Sequence, residues 1–293
     1  MVRIALIPAG GQGIALLPAT RAFPKELYPF GGKPVIEHVI DAIKQCGITN
    51  CVFVAGYKKS ALLDYIGDGS LFGVNASFVY QEEPSGPGDA ILCGNTRIRR
   101  DAAEQNFLCC FGDNIILPPT QIKKVIEIHQ RYQPLATVLV FPTTTPTRYG
   151  IVDLKEISGV KRVVDIIEKP RTPEQQERLR SDSGQFLAIS SVMVFNVRIF
   201  DYLRSIDRGV DDRYQVSDAL VKAIQEGEQV VAHELTGEVI DVSSWSFLWK
   251  LRAYFRNMTD DQLTKIIKER NTLIESMGWE SRSDVFVRKE GNT

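Results

Sequence analysis

Short runs of apolar residues alternate with amphipathic segments through the first half of the chain. The apolar runs lie at residues 4–7, 51–55, 78–80 and 107–111. Runs of this length, bounded by polar or glycine-rich residues, are typical of buried strands. Strands that alternate with helices are joined by right-handed βαβ crossovers, which build mainly parallel sheets. The pattern therefore predicts the α/β class, with a Rossmann-like, mostly parallel mixed sheet flanked by helices.

A helix is predicted to begin at Pro34, with the proline as its first residue. Its apolar positions recur at helical spacing and fall on one face: Val35, Ile36, Val39, Ile40 and Ile43. Proline suits the first turn of a helix, and Gly47 is a suitable stop signal. We expect the apolar face of this helix to pack on the sheet.

The pattern becomes richer in predicted strands from Val138 to Asn196. A polar, helix-prone stretch at residues 172–183 interrupts these strands and carries no motif. Polar connecting segments of this kind usually run over the surface. We therefore expect a smaller β-rich part beside the main sheet, with an excursion at its surface.

A second amphipathic helix is predicted near the end of the chain, with Thr259 as its N-cap. The apolar residues that follow at helical spacing are Leu263, Ile266, Ile267, Leu273, Ile274 and Met277. Packing of this helix against its own domain and contact with a second subunit, in a homo-oligomer, both stay open. We divide the chain into a domain at residues 1–257 and a C-terminal helix and tail at residues 258–293, with little regular structure expected after Gly278.

The composition excludes several classes of partner. The chain has 293 residues, enough for one large domain, and a formal net charge of −1. A balanced charge gives no broad attraction to nucleic acid or to an anionic membrane, so any affinity for phosphate must be local. No apolar stretch reaches the roughly 20 residues that span a bilayer, and the first residues lack a signal-peptide layout, so we expect a cytoplasmic protein. The five cysteines lie mostly in apolar runs, where reduced, buried thiols are expected.

A glycine-rich loop follows the first predicted strand and reads Pro-Ala-Gly-Gly-Gln-Gly-Ile-Ala at residues 8–15. Glycines after a strand let backbone N–H groups approach a polyphosphate, but for this loop alone a plain tight turn is an equal alternative. No Gly-Lys-Ser/Thr follows, which excludes the P-loop. Leu16 occupies the place of the last glycine of a dinucleotide-binding loop, which argues against an NAD-dependent enzyme.

Charged residues at predicted strand ends are further candidates for chemistry. Asp113 and Asp241 each follow an apolar strand. Two such carboxylates suit one hydrated Mg²⁺, although an aspartate in this position is more often a turn or helix cap. Lys25 stands in a segment restricted by proline and could face a phosphate, or be an exposed lysine. Glu168 and Lys169 follow another predicted strand and, taken alone, are more often an ordinary surface pair.

Several motifs that occur in a fixed order favour the functional interpretation of these residues. They are Pro18-Ala19-Thr20-Arg21, Pro24-Lys25-Glu26-Leu27, Gly67-Asp68-Gly69-Ser70, Gly86-Pro87-Gly88-Asp89-Ala90, Gly112-Asp113-Asn114-Ile115, Tyr149-Gly150-Ile151-Val152 and Ile167-Glu168-Lys169-Pro170. Over residues 2–252 the chain resembles the sugar-nucleotidyltransferases, in particular the glucose-1-phosphate uridylyl- and thymidylyltransferases. The resemblance implies transfer of a nucleotidyl group from UTP or dTTP to a hexose-1-phosphate, with glucose-1-phosphate the first choice, and release of pyrophosphate. The choice of base and of hexose stays open.

The resemblance also implies roles for particular residues. Lys25, Asp113 and Asp241 correspond to catalytic residues, and the two aspartates to ligands of Mg²⁺. The nucleotide-binding positions are Ala9, Gly10, Gly11, Gly13, Lys25, Gln81, Gly88 and Asp89. The sugar-phosphate-binding positions, in the β-rich part, are Gly150, Glu168 and Lys169. In this scheme Gln81 matches the imide edge of a pyrimidine, and Gly88 lets the backbone approach the base.

Two departures from the family pattern affect the expected activity. Ile14 and Ala15 replace Thr or Ser followed by Arg, so a hydroxyl and a guanidinium aimed at the triphosphate are absent. Loss of one cation that stabilises a transition state reduces a rate by about a hundredfold to a hundred-thousandfold, although Arg21 could fold back into the gap. Residues 241–244 read Asp-Val-Ser-Ser in place of the usual Asp-x-Gly-Thr. Two hypotheses stay open: an active transferase, and a weakened or inactive relative that binds nucleotide or sugar nucleotide as a regulatory or partner subunit.

Overall fold

The computed structural model describes residues 2–101, 105–180 and 184–243 without interruption, and then residues 259, 261–262, 264–265, 268, 272, 279–282 and 285–288. The strands are β1 (Ile4–Ala9), β2 (Pro29–Phe30), β3 (Lys33–Pro34), β4 (Asn50–Ala55), β5 (Asn75–Tyr80), β6 (Asn106–Cys110), β7 (Asn114–Leu117), β8 (Ala136–Thr143), β9 (Gly150–Ile157), β10 (Val160–Glu168), β11 (Phe186–Asn196), β12 (Val230–Glu234), β13 (Glu238–Asp241), β14 (Trp279–Arg282) and β15 (Val285–Arg288). The helices are α1 (Val35–Gln45), α2 (Lys59–Ile66), α3 (Pro87–Cys93), α4 (Asn95–Asp101), α5 (Thr120–Tyr132), α6 (Pro173–Arg178), α7 (Ile199–Arg204) and α8 (Val216–Gln225).

Nine strands form a central sheet in the order β5-β4-β1-β6-β11-β8-β12-β10-β9. In one half, β5, β4, β1 and β6 are parallel neighbours. In the other half, β11 pairs antiparallel with β6 and β8, β12 is parallel to β8, and β10 pairs antiparallel with β12 and β9. The predicted mixed α/β sheet is confirmed. Its run of parallel neighbours comes from the first half of the chain, and each antiparallel pair contains a strand of the second half.

Helices cover both faces of this sheet because each strand buries residues alternately on its two sides. On β1, Ile4 and Leu6 join one hydrophobic cluster, whereas Ala5 and Ile7 join another. The first cluster includes residues of α3, α4, α7 and α8, and the second includes residues of α1, α2 and α5. Fully burying a Phe or Leu side chain contributes about 1.5–3 kcal/mol, so these two clusters stabilise the frame that holds the loops at the sheet edge.

Two local predictions are confirmed beside this frame. α1 begins at Val35, one residue later than predicted, because Pro34 is extended and caps the helix, but the predicted apolar face is buried. Gly47 lies beyond the end of α1 with a φ of 76°, as a glycine stop signal requires. α6 lies within the polar stretch at residues 172–183, buries none of its residues and is capped by the Thr172 side chain. Residues 172–178 are therefore a surface excursion, as expected, while Leu179 directly after them is buried in a hydrophobic cluster.

A separate two-stranded sheet lies outside the central one. Its strands β7 and β13 pair antiparallel, with Asp241 opposite Asn114. A third hydrophobic cluster supports this pair, and its buried members are Leu16, Phe30, Val35, Ile115, Ile240 and Val242. Because Leu16 directly follows the glycine loop, the cluster fixes that loop to the strands that lie next to Asp113 and Asp241.

The C-terminal region is described only in part. The Gln262 N–H donates to Thr259 Oγ1 at 3.3 Å, which is the predicted N-cap, and described residues after it are helical. Outside the described residues lie the boundary at residues 257–258 and the apolar positions Leu263, Ile266, Ile267, Leu273, Ile274 and Met277, so the two-part division stays a prediction. The expectation of little regular structure after Gly278 is wrong, because β14 and β15 pair there as antiparallel strands. None of the described helices is both long and apolar enough to cross a membrane.

Candidate active site

The glycine loop leads from β1 into a short turn at residues 14–16. Gly13 has a φ of 61°, and its carbonyl oxygen accepts a hydrogen bond from Thr20 Oγ1 at 2.9 Å. A Cβ on Gly13 would lie 2.7 Å from Thr20 Cγ2, so this position requires glycine. Among the described residues, nothing accepts a hydrogen bond from the N–H groups of Gly11, Gln12 and Gly13. A loop of free backbone N–H groups is suited to binding an anion.

A cavity of about 400 Å³ lies against this loop, and we call it the first cavity. It is lined by the loops that follow β1, β5 and β6, including Gly10, Gln81 and Asp113. The carboxyl ends of parallel strands meet at one edge of a sheet, which is where α/β proteins bind their ligands. These three loops therefore converge on one cavity, as the topology of a parallel sheet requires. The volume is within the range of about 300–1,000 Å³ that small-molecule sites occupy.

Gln81 lies in the wall of the first cavity and is 7 % exposed. Its Nε2 donates to the Gly86 carbonyl oxygen at 3.0 Å and to Asp89 Oδ2 at 2.7 Å. Because both amide hydrogens are engaged, Oε1 is the atom left to a ligand, as an acceptor. A pyrimidine imide presents one N–H between two carbonyl groups, and that N–H is a suitable donor to Oε1. Asp89 thus fixes the orientation of the Gln81 amide.

Lys25 lies in a buried charged cluster at the first cavity. Its ammonium pairs with Asp113 Oδ2, and Lys25 Nζ is 4.0 Å from Glu26 Oε1. Burial lowers the pKa of Lys25, but the Asp113, Glu26 and Asp241 carboxylates more than offset this and raise the pKa above its ordinary value. Lys25 is therefore a stable cation. A Cβ on Gly11 would lie 3.1 Å from Lys25 Nζ, which places the ammonium against the glycine loop.

Glu26 is the second member of this cluster and is 1 % exposed. Its Oε2 has no hydrogen-bond partner among the described residues. Burial raises the pKa of Glu26, Lys25 lowers it and Asp113 raises it again, to a value of about 7. The carboxyl therefore holds its proton at mildly acidic pH and releases it near neutral pH.

Asp241 lies at the end of β13 and is held from three sides. Its Oδ1 accepts from the Ser243 N–H at 2.8 Å, while Oδ2 accepts from Arg148 Nη2 at 3.2 Å and from the Tyr149 hydroxyl at 3.4 Å. The residue after Asp241 donates its N–H to the Asp113 carbonyl oxygen at 3.0 Å. The structure thus brings the two predicted metal ligands to neighbouring positions.

A second cavity of about 300 Å³ adjoins the first. Gly150, Glu168 and Lys169 line it, as does Asp241. Five residues line both cavities: Pro87, Phe111, Asp113, Arg213 and Ser243. These five residues, which we call the junction, are the shared boundary through which a ligand could extend from one cavity into the other.

The polar wall of the second cavity combines a carboxylate with an ammonium. Glu168 Oε2 accepts from the Ser217 hydroxyl at 2.7 Å, and burial raises the pKa of Glu168 against the opposing effects of Ser217 and Lys169. A Cβ on Gly150 would lie 2.9 Å from Glu168 Oε2, so glycine leaves room for this carboxylate. Lys169 Nζ is 2.6 Å from Asp211 Oδ2. The carboxylate can accept hydrogen bonds from sugar hydroxyls, and the ammonium can bind a phosphate.

Three predicted nucleotide-binding residues do not line either cavity. The side chain of Ala9 is buried in a hydrophobic cluster. Asp89 acts on the cavity through Gln81. A Cβ on Gly88 would lie 2.9 Å from the Tyr214 carbonyl oxygen, so the close approach of that backbone explains why glycine is needed there.

The gap left at position 15 is not filled by Arg21. Ala15 is exposed and lines the first cavity. Arg21 is also exposed, but it lines neither cavity. Ser243 lies at the junction, whereas Ser244, the other altered position near Asp241, is outside the described residues.

Three residues of the site were given no role by the sequence analysis. Tyr149 stood inside a motif and Arg148 directly before it, but their contact with Asp241 joins distant parts of the chain. Arg213 lies in a loop with no periodic pattern. It reaches the cavities because the neighbouring Tyr214 N–H donates to the Ser85 carbonyl oxygen at 2.9 Å.

The chain matches known proteins over most of its length. It is 27% identical over 266 residues to UTP–glucose-1-phosphate uridylyltransferase YngB of Bacillus subtilis, which covers 82% of this chain and 85% of that protein. Its fold is similar to that of a UDP-glucose pyrophosphorylase in complex with UDP-glucose, with a TM-score of 0.76 and 24% identity over 88% of this chain and 100% of the other. A UTP-bound UGPase from Acinetobacter baumannii gives a TM-score of 0.69 and 20% identity over 92% of this chain and 99% of the other. The model of the nucleotidyl transferase family matches residues 4–260, and the chain therefore belongs to that family.

Proposed function

We propose that this protein transfers a nucleotidyl group from UTP or dTTP to a hexose-1-phosphate, forming a UDP- or dTDP-sugar and pyrophosphate. The favoured substrates are UTP and glucose-1-phosphate, because relatives such as YngB are named for them. The arrangement that carries this proposal is a pair of adjoining cavities, one suited to a nucleotide and one to a sugar phosphate, that meet at Asp113.

The first cavity supplies the contacts that a pyrimidine nucleoside triphosphate needs. Gln81 Oε1 accepts from the base, and the free N–H groups of Gly11 and Gly13 donate to the phosphates. Lys25 places a buried ammonium against the same loop. In the second cavity, Glu168 accepts from sugar hydroxyls and Lys169 binds the phosphate of the sugar.

The chemistry requires positioning more than proton transfer. An oxygen of the sugar phosphate attacks the α-phosphorus, and the bond from that phosphorus to the oxygen of the β-phosphate breaks with its electron pair leaving on pyrophosphate. A phosphate monoester is already ionised near neutral pH, so no general base is needed, and fixed cations supply most of the stabilisation of the transition state. Lys25 fits this role because its raised pKa keeps it protonated.

Asp113 at the junction and Asp241 beside it fit a magnesium ion. Asp113 and Asp241 are neighbouring carboxylates, and no group of three or more His, Cys, Asp or Glu side chains in the described part of the chain is placed to hold a metal ion. Mg²⁺ commonly takes one or two carboxylates and completes its shell with water and substrate phosphates. Asp113 and Asp241 would therefore hold it together with the substrates, and the ion would neutralise charge that accumulates on the phosphates.

The test is an assay of pyrophosphate release with Mg²⁺, glucose-1-phosphate and either UTP or dTTP. The protein and its Ala15→Arg variant are assayed side by side, with Asp241→Asn as the variant expected to be inactive. We expect the protein itself to release pyrophosphate only when the sugar phosphate is present, and the more efficiently used nucleotide identifies the base.

Other outcomes separate the alternatives. Comparable turnover with and without Arg at position 15 would show that another group does the work of that cation. If the protein releases no pyrophosphate and Ala15→Arg does, the protein is a weakened relative with a binding or regulatory role. Silence of both proteins, with both still folded, would rule out the transferase.

A further inference from the structure

Arg213 is the only cation among the five junction residues. A ligand that extends from the nucleotide cavity to the sugar cavity must pass its linking group along the junction. In a nucleotide sugar that linking group is a diphosphate, which carries negative charge. Arg213 is therefore placed where one positive charge can contact the phosphates of both substrates.

The backbone of Arg213 is anchored on both sides. Its carbonyl oxygen accepts from the Gly209 N–H at 2.9 Å. The N–H of Tyr214 donates to the Ser85 carbonyl oxygen, and the Tyr214 carbonyl oxygen accepts from the Gly88 N–H, both at 2.9 Å. These bonds join the Arg213 loop to the start of α3, which is a wall of the first cavity.

Gly86 makes this close approach possible. Its φ is 122°, and a Cβ there would lie 2.6 Å from the Tyr214 carbonyl oxygen and 3.0 Å from Arg213 Cβ. The two segments are therefore packed backbone to backbone, which fixes where the Arg213 side chain starts.

Among the described residues the guanidinium of Arg213 has no partner, unlike the other cations of the two cavities. Those cations each pair with a carboxylate: Lys25 with Asp113, Lys169 with Asp211 and Arg148 with Asp241. Within the described part of the chain, the Arg213 side chain makes no ion pair or hydrogen bond. It is exposed at the cavities with its full hydrogen-bonding capacity available.

We propose that the Arg213 guanidinium binds the phosphate at the junction and supplies the positive charge that is missing at Ala15, an inference that rests on the proposed function. A planar guanidinium can donate two parallel hydrogen bonds to two oxygens of one phosphate. It gives no proton away in the transfer step. As the sugar-phosphate oxygen bonds to the α-phosphorus and pyrophosphate leaves with its electron pair, Arg213 stabilises the charge on the non-bridging oxygens.

The first experiment compares turnover of Arg213→Gln, Arg213→Lys and Arg208→Gln with that of the unaltered protein. Arg208 is the matched control because it lies in the same loop, pairs with Asp212 and lines neither cavity. We expect kcat of Arg213→Gln to fall about a hundredfold, as for loss of one preorganised donor to a transition state. Arg213→Lys should recover only part of this loss because it keeps the charge but not the paired hydrogen bonds. Arg208→Gln should match the unaltered protein.

A combined variant tests whether positions 213 and 15 are interchangeable sources of charge. Adding Ala15→Arg to Arg213→Gln should restore kcat at least tenfold, whereas Ala15→Arg alone should change it by a smaller factor. If Ala15→Arg has the same effect on kcat with and without Arg213, the two positions act independently. Arg213 then does not supply the charge that is missing at Ala15.

Binding measured by calorimetry separates this inference from the proposed reaction. For Arg213→Gln we expect the Kd of UDP-glucose to rise more than tenfold, while the Kd of uridine stays the same because it has no phosphate. A protein that binds UDP-glucose without turnover would refute the transferase, and the effect of Arg213→Gln on the Kd would still decide the role of Arg213. Unchanged kcat, KM and Kd in Arg213→Gln would overturn the inference, as would the absence of UDP-glucose binding by the unaltered protein.

Discussion

Glu26 is a carboxyl group that the fold shields from water, and among the described residues one of its oxygens has no hydrogen-bond donor. Burial of an ionised carboxylate is unfavourable, so the folded protein favours the neutral form. The pKa of Glu26 rises from 4.5 to about 7 on folding. Its protonation therefore stabilises the folded state, fully below about pH 4.5, and this contribution is lost as the pH rises through about 7.

Glu26→Gln should remove this dependence on pH. Glutamine has a similar shape and stays neutral, so the variant should be more stable than the unaltered protein at pH 8 by up to about 3 kcal/mol, and the difference should shrink toward pH 5. Urea unfolding of both proteins at pH 5, 6, 7 and 8 measures the free energy of unfolding directly.

Glu156→Gln is the matched control because Glu156 is exposed. It should alter the free energy of unfolding little at any of these pH values. A difference between Glu26→Gln and the unaltered protein that stays constant from pH 5 to pH 8 would contradict the assignment of this titration to Glu26.

At the scale of elements, the pairing of β7 with β13 determines the positions of Asp113 and Asp241. Asp113 directly precedes β7 and Asp241 ends β13, so a shift in their pairing would separate the carboxylates. Gly237, just before β13, comes unusually close to the end of β7. Its φ is 148°, and a Cβ there would lie 1.9 Å from the Leu117 carbonyl oxygen. The geometry of the candidate metal site therefore depends on a glycine that lines neither cavity.

Gly237→Ala should lower the free energy of unfolding by about 3 kcal/mol, because it adds a backbone collision to the strain of a positive φ. It should also lower kcat per folded molecule, since β13 must move and Asp241 moves with it. Thermal unfolding together with the pyrophosphate assay measures both effects.

Gly227→Ala is the control for the element. Gly227 also has a positive φ, of 89°, but a Cβ there would meet nothing within 4 Å. We expect this variant to lose about 1 kcal/mol of stability and to keep its kcat. Equal kcat values for the two variants would show that the pairing of β7 with β13 does not position Asp241.

At the scale of the whole molecule, the periodicity of the chain predicted the half of the sheet in which strands alternate regularly with helices. In β1, β4 and β6 the apolar runs mark the strands, and their alternation with helices predicts that these strands run parallel. The second half could not be read in this way. β11 contacts β6, β8 and β9 across long stretches of sequence, and no local pattern specifies which strand is its neighbour or in which direction it runs.

The same limit applies to the site. The loops after β1, β5 and β6 were predictable because the topology of a parallel sheet brings them to one edge. The pairing of Lys25 with Asp113 and of Arg148 with Asp241 was not, because each contact joins distant segments whose approach depends on the finished fold. Gly88 is an example. The sequence indicated that another group approaches this glycine closely, but only the fold shows that this group is the Tyr214 backbone.

The two cavities share a boundary, so under the proposed activity the product should inhibit its own formation. One product molecule, with its base in the first cavity and its hexose in the second, would leave no room for either substrate. We expect saturating UDP-glucose to displace both labelled UTP and labelled glucose-1-phosphate, and uridine to displace UTP alone. Retention of glucose-1-phosphate by the UDP-glucose complex would contradict this. In a cell, accumulated nucleotide sugar would then slow its own synthesis by occupying the whole site, without a separate regulatory site.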